Sequence, residues 1–229
     1  MRVGLCQFRS PQSIDESIRG HVRAAEQAAD LGCSLALFPE LSLTGYGLSV
    51  DSIEASSPVL DPLAAVSSER GMHLAVGVPL PAAEGGTEIG MVLFQPDGSR
   101  RDYAKQLLHE SETCSFEPGT RDMDVFLKGR TIAFGICYEA MQPSHGSAAI
   151  ARGATVYAAS VAKHAAGMAD AHRYLAAFAE SNRIPTLIVN AVGPADGFEC
   201  SGGSAAWDAS GSLIRSLGPD ERVMAIDIG

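Results

Sequence analysis

Nowhere in the sequence does an apolar run approach the roughly 20 residues that a bilayer-spanning helix needs, so no contact with a membrane is expected. Positive charge is scarce. The chain has 17 Lys and Arg against 27 Asp and Glu, a net charge of −10, whereas nucleic acid or an anionic lipid surface calls for a basic face. Cys-x-x-Cys pairs are missing. The five cysteines, Cys6, Cys33, Cys114, Cys137 and Cys200, are odd in number and scattered, which predicts neither a disulfide framework nor a zinc site. The start, Met1-Arg2-Val3-Gly4-Leu5, runs straight into strand-like sequence with no secretory signal. With the cysteine usage, this predicts a soluble protein in the reducing cytoplasm. No linker, internal repeat or low-complexity tract appears, so residues 1–229 are expected to form a single domain.

What is present suits a large core, since 46% of the residues are apolar and only 19% charged. Arg2 to Phe8 reads as a strand. Ser13 to Leu31 reads as a helix, with Ile14, Ile18, Val22, Ala25 and Ala29 at helical spacing and Gly32 beyond its end. Leu35 to Phe38 is a second strand. Asp61-Pro62 reads as an N-cap followed by the first helical residue, in a helix running to Arg70. His73 to Val78 is a strand, and Ile89 to Phe94 with Asp102 to Lys105 a hairpin around Pro96-Asp97-Gly98-Ser99. A second hairpin turns at Lys128-Gly129 and leads to Cys137. Pro143 to Arg152 and Ala169 to Asn182 are helices. Val156 to Ala159, Thr186 to Asn190, Ser204 to Trp207, Leu213 to Ser216 and Val223 to Ile228 are strands. Helices alternate with strands, yet hairpins interrupt them, which rules out a purely parallel sheet. The expected fold is α/β, a four-layer α-β-β-α sandwich with two mixed β-sheets.

Thr131-Ile132-Ala133-Phe134-Gly135-Ile136 is a buried-strand sequence that stops on Cys137. A thiol at the carboxyl end of a strand, before a helix, is how a nucleophile is presented. The same cysteine also reads as a small buried hydrophobe. Two more polar residues stand at strand ends: Glu40 after Leu37-Phe38-Pro39, and Lys105 after Tyr103-Ala104. If the three ends share a rim, the carboxylate can take the thiol proton, the thiolate can attack a carbonyl carbon, and the ammonium can stabilise the oxyanion. Taken singly, an acid or lysine at a strand end is more often a solvated surface group, and a free cysteine a packing residue.

Three segments resemble the signatures of the nitrilase superfamily, the carbon–nitrogen hydrolases, in that family's order. They are Phe38-Pro39-Glu40-Leu41-Ser42-Leu43-Thr44-Gly45-Tyr46, Tyr103-Ala104-Lys105-Gln106-Leu107-Leu108 and Gly135-Ile136-Cys137-Tyr138-Glu139. The resemblance spans Val3 to about Asp227. It implies the four-layer sandwich, assembly as a homodimer or higher homo-oligomer, no metal and no organic cofactor, and hydrolysis of non-peptide C–N bonds in small amides, carbamoyl compounds or nitriles. It also implies a second glutamate, Glu112, ahead of Phe116-Glu117-Pro118-Gly119, where residue type alone gives a solvated loop acid. By the same likeness Glu40 is the base for Cys137, and Lys105 with the backbone N–H of Tyr138 receives the oxyanion.

Tyr46, His109, Tyr138 and Glu139 are expected to line the pocket. Lys163, in Ala162-Lys163-His164, departs from the family's patterns there. It reads either as a solvated loop residue or as a clamp for a substrate carboxylate. The leading function is amide hydrolysis of the amidase type. Nitrilase or N-carbamoyl amide hydrolysis, acyl transfer to an amine, and a non-catalytic binding module on the same fold are the alternatives. The last predicted strand, Val223 to Ile228, lies almost at Gly229, so assembly through a C-terminal tail, which the resemblance would allow, is not expected.

Overall fold

The structure, a computed structural model, describes residues 1–9 and 13–229. Among these, the strands in the first half are β1 (Arg2–Gln7), β2 (Leu35–Leu37), β3 (His73–Pro81), β4 (Thr87–Phe94), β5 (Arg100–Ala104), β6 (Asp124–Leu127) and β7 (Arg130–Ile136). Those in the second half are β8 (Val156–Val161), β9 (Thr186–Asn190), β10 (Val192–Ala195), β11 (Phe198–Ser201), β12 (Ala205–Trp207), β13 (Leu213–Ser216) and β14 (Arg222–Asp227). The α-helices are α1 (Ile14–Asp30), α2 (Asp61–Arg70), α3 (Pro143–Ala151) and α4 (Ala165–Asn182).

Two six-stranded sheets form, in the orders β14-β1-β2-β3-β4-β5 and β13-β12-β9-β8-β7-β6. Each has a parallel centre, β1-β2-β3 or β7-β8-β9, flanked by antiparallel strands. The two-residue period of a strand explains the layering. On β1 and β2, Val3, Leu5, Leu35 and Leu37 point into the core shared by the sheets, while Cys6 and Ala36 point out to the layer under α1 and α2. Helix α4 covers the second sheet, and α3 packs on α4 where Gly146 meets the Phe178 ring. The expected α-β-β-α sandwich is the observed fold.

Several boundaries differ from the sequence reading; β3 runs on to Pro81 rather than stopping at Val78, and β8 to Val161 rather than Ala159. Asp61 is not an N-cap but the first residue of α2, because a 3₁₀ turn over Pro58–Leu60 feeds into the helix. Helix α4 begins at Ala165 rather than Ala169. His164 caps it by accepting the Gly167 N–H on Nδ1 at 3.2 Å, a service more usually given by Ser, Thr, Asp or Asn. A ribbon of β10 and β11 stands where no strand was assigned, although its Asp196-Gly197 turn is a strong hairpin signal. No helix among the described residues is long and apolar enough to cross a membrane.

Candidate active site

Glu40 sits in the turn that follows β2. Its neighbour Leu41 is held at φ 47°, a conformation that side chains resist. Gly77 on β3 makes room for this turn. A Cβ there would lie 2.3 Å from the Pro39 oxygen and 2.5 Å from the Leu41 nitrogen. Behind the turn, His21 is fully buried. Its Nδ1 lies 2.8 Å from the Ser17 carbonyl, which only accepts, so Nδ1 carries the proton and Nε2 accepts from the Ser42 hydroxyl at 2.9 Å. Burial lowers the His21 pKa to about 4, so the ring is neutral when it props this turn.

Lys105 follows β5. Its N–H donates to Ile89 O and its carbonyl accepts from Gly119 N–H, each at 2.8 Å. Gly119 is required there because a Cβ would come within 2.3 Å of Ala104 O. The ammonium donates to Glu40 Oε1 at 2.9 Å and to Glu112 Oε1 at 2.7 Å. Glu112 is fixed in turn. Its Oε1 accepts from Tyr46 OH at 3.0 Å and its Oε2 from the His109 N–H at 2.7 Å.

Cys137 is the first residue after β7, at φ 49°. Its N–H donates to Ser160 O at 2.9 Å, extending the ladder to β8, and the Ala162 N–H is aimed at its sulfur. Gly135 lets the strand pass under Tyr157 and Ala140. Among the four residues, Cys137 is the most exposed, at 9%, and Glu40, Lys105 and Glu112 are at most 1% exposed.

The charges decide which form the thiol takes. One ammonium stands between two carboxylates. Burial and the Glu40 charge raise the Cys137 pKa to about 11, and Lys105, Lys163 and the Ala162 N–H only partly offset this. The resting group is therefore a thiol. Burial also raises the Glu40 pKa, against the pull of Lys105. Burial works against the Lys105 charge, yet Glu40, Cys137 and Glu112 outweigh it and hold the ammonium protonated. Glu40 Oε2 is buried without a conventional hydrogen bond among the described residues. The thiol beside this carboxylate favours its charged form. A buried, under-bonded carboxylate oxygen next to a thiol is placed to take its proton.

The structure thus gathers Glu40, Lys105, Glu112 and Cys137 with the half-buried Tyr46, whose pKa burial and the two carboxylates raise. His109 and Tyr138 meet edge to face at 5.4 Å on the exposed rim. Lys163 is half-buried, and its main chain is gripped by Asn190, which accepts from its N–H and donates to its carbonyl.

Glu139 does not line the pocket as expected. It is fully buried, accepts from Ile136 N–H (2.8 Å), Gln106 N–H (2.6 Å), Leu107 N–H (3.3 Å) and the Tyr103 hydroxyl, and so ties the segment after Lys105 to the strand before Cys137. Sequence reasoning missed Phe198, on the unassigned ribbon, whose ring packs 5.8 Å from that of Tyr46. Among the described residues no cluster of His, Cys, Asp and Glu is arranged to hold a metal ion. A groove lined by Thr44, Val50 and Ile53 contains none of Glu40, Lys105, Glu112 and Cys137.

The model of the carbon-nitrogen hydrolase family matches residues 2–229. An (R)-stereoselective amidase from a Pseudomonas species is 28% identical over 202 residues, 85% of this chain and 73% of that protein. Two solved structures of mutants of the amidase from Nesterenkonia sp. AN1 are 26% identical and match the whole of this chain. One shows the result of Michael addition of acrylamide at the active-site cysteine, with a TM-score of 0.90 and 93% of that chain covered. The other is in complex with butyramide, with a TM-score of 0.89 and 90% covered. With the family model spanning all but the first residue, and the strand-end cluster on the same fold, this chain belongs to the carbon-nitrogen hydrolases of the nitrilase superfamily.

Proposed function

We propose that this chain hydrolyses the C–N bond of a small amide through a thioester on Cys137, with residues 1–229 acting as one catalytic domain. The convergence of Glu40, Lys105 and Cys137 from three strand ends, with Cys137 the most exposed of the three, carries the reading. The amidase relatives, one bound to butyramide, support the choice of an amide.

Glu40 takes the thiol proton as sulfur attacks the carbonyl carbon. The oxyanion is received by Lys105 Nζ and the Tyr138 N–H. Protonated Glu40 gives its proton to the leaving nitrogen, the C–N bond breaks, and ammonia or an amine departs. Glu40 then takes a proton from water, whose oxygen attacks the thioester. The C–S bond breaks, the acid leaves, and the proton returns to sulfur. Glu112 holds Lys105 toward the reacting carbon and accepts from Tyr46. Tyr46, His109 and Tyr138 border the substrate. Lys163, whose ammonium has no ion-pair partner among the described residues, faces a negatively charged group on it.

Ammonia release across a panel of small amides tests this. Cys137→Ala is expected to lose turnover by several orders of magnitude, and hydrolysis retained in that variant contradicts the assignment. In the same panel, Lys163→Ala is expected to lose preference for acidic over neutral amides. Indifference to that change removes Lys163 from the substrate site. The protein works as a homodimer or higher homo-oligomer in the cytoplasm, where its free thiols stay reduced. A light-scattering mass near the 23.9 kDa of one chain contradicts the assembly.

A further inference from the structure

Base and nucleophile come from different sheets, Glu40 from beyond β2 and Cys137 from beyond β7. The sheets meet through apolar side chains, and such packing is not directional. Something must fix the separation of the two groups to the fraction of an ångström that proton transfer demands. Ser160, in the middle of the second sheet on β8, touches both sides. It is fully buried. Its hydroxyl crosses to the first sheet and donates to Phe38 O at 2.7 Å, two residues before Glu40. Its own carbonyl accepts the Cys137 N–H at 2.9 Å. Phe38 is anchored in its turn, its N–H donating to Ala75 O at 2.9 Å. One residue therefore bonds the backbone of the nucleophile and the backbone two residues before the base, and the nucleophile it holds is in a left-handed conformation that would otherwise relax.

We infer that Ser160 is a positioning residue that sets the spacing between Glu40 and Cys137 through its Phe38 bond. It touches neither substrate nor reacting atoms. The inference rests on the proposed roles of Glu40 and Cys137.

Thr and Val have the same shape and differ by the hydroxyl, so Ser160→Thr and Ser160→Val form a matched pair. The expected result is that Ser160→Val lowers kcat on a small amide by on the order of ten- to a hundredfold relative to Ser160→Thr, with KM changed less than twofold. The rate of Cys137 alkylation by iodoacetamide at pH 7.5 (about 1 unit below a free thiol's pKa) should differ between the two variants as well. Equal kcat and equal alkylation in the two variants, both folded by circular dichroism, overturns the inference even where their melting temperatures differ. If the added methyl unfolds both, Ser160→Ala against the wild type gives the same comparison. A wild-type kcat in folded Ser160→Ala overturns the inference, as does loss confined to KM. Failure of the underlying reading is separate, because it appears as wild-type protein without Cys137-dependent amide hydrolysis.

Discussion

Glu40 affects Cys137 in two opposed ways. Its charge helps hold the thiol pKa near 11, which suppresses the thiolate at rest, while its position beside the thiol provides the base. Replacing it separates the two effects. Glu40→Gln is expected to lower amide turnover by about 10²–10⁴-fold, the usual worth of a general base. At the same time the Cys137 pKa, read from the pH dependence of alkylation, should fall below its wild-type value because Lys105 is left opposed by Glu112 alone. A raised thiol pKa in Glu40→Gln would contradict this electrostatic account. The three strand-end residues were legible in the sequence because a strand's end is marked by where its apolar run stops. Glu139 was misread for a physical reason. Cys137 at φ 49° turns the chain back, so a residue two positions later points beneath the strand, where it accepts the Ile136 N–H, and periodicity carries no sign of such a turn. Nor did the composition tell how the charges balance at Cys137, since that depends on burial.

At the scale of elements, the site depends on glycines that let backbones approach. Gly77→Ala is expected to push the Pro39–Leu41 turn away from β3, because the new methyl would meet Pro39 O and Leu41 N rather than a yielding side chain. Overpacking of this kind costs about 1–3 kcal/mol. Its expected signature is a lower melting temperature together with a kcat loss of tenfold or more, the latter because Glu40 moves with the turn. A variant with reduced stability but unchanged kcat would show that the turn does not carry the base. Helices α1 and α3 and both hairpins leading to Lys105 and Cys137 were readable from their apolar spacing and turn residues. The start of α4 was hidden because a histidine caps it, whereas the β10–β11 ribbon, with strands no shorter than β2, was overlooked despite its Asp196-Gly197 turn. That ribbon brings Phe198 against Tyr46, a contact invisible until the chain was folded.

The whole molecule buries most of its thiols, and this gives a pH dependence with a definite sign. Burial lifts Cys33 and Cys137 from an ordinary 9.0 to about 11, and Cys200 to about 12. A folded-state pKa above the unfolded value means the native state keeps protons that the unfolded chain releases. The resulting stabilisation is complete below pH 9 and is lost as pH rises toward 11. Thermal unfolding followed from pH 8 to 11 is expected to show a falling midpoint above about pH 9, with a shallower fall in Cys200→Ala. A midpoint flat to pH 11 would contradict the burial assigned to these thiols. The layered α-β-β-α arrangement was legible at this scale, because hairpins interrupting a helix–strand alternation demand mixed sheets. The sheet order was not, since strand order depends on which edges meet and not on any one segment's pattern.

In the proposed mechanism Cys137 carries the acyl group during turnover. Acid-quenching the wild-type protein within its first turnovers of a small amide, then measuring intact and peptide masses, tests it most directly. The expected result is a mass gain equal to the amide minus ammonia, located on the peptide containing Cys137 and absent from Cys137→Ala. Steady ammonia release with no such adduct on Cys137, together with undiminished release by Cys137→Ala, would contradict it.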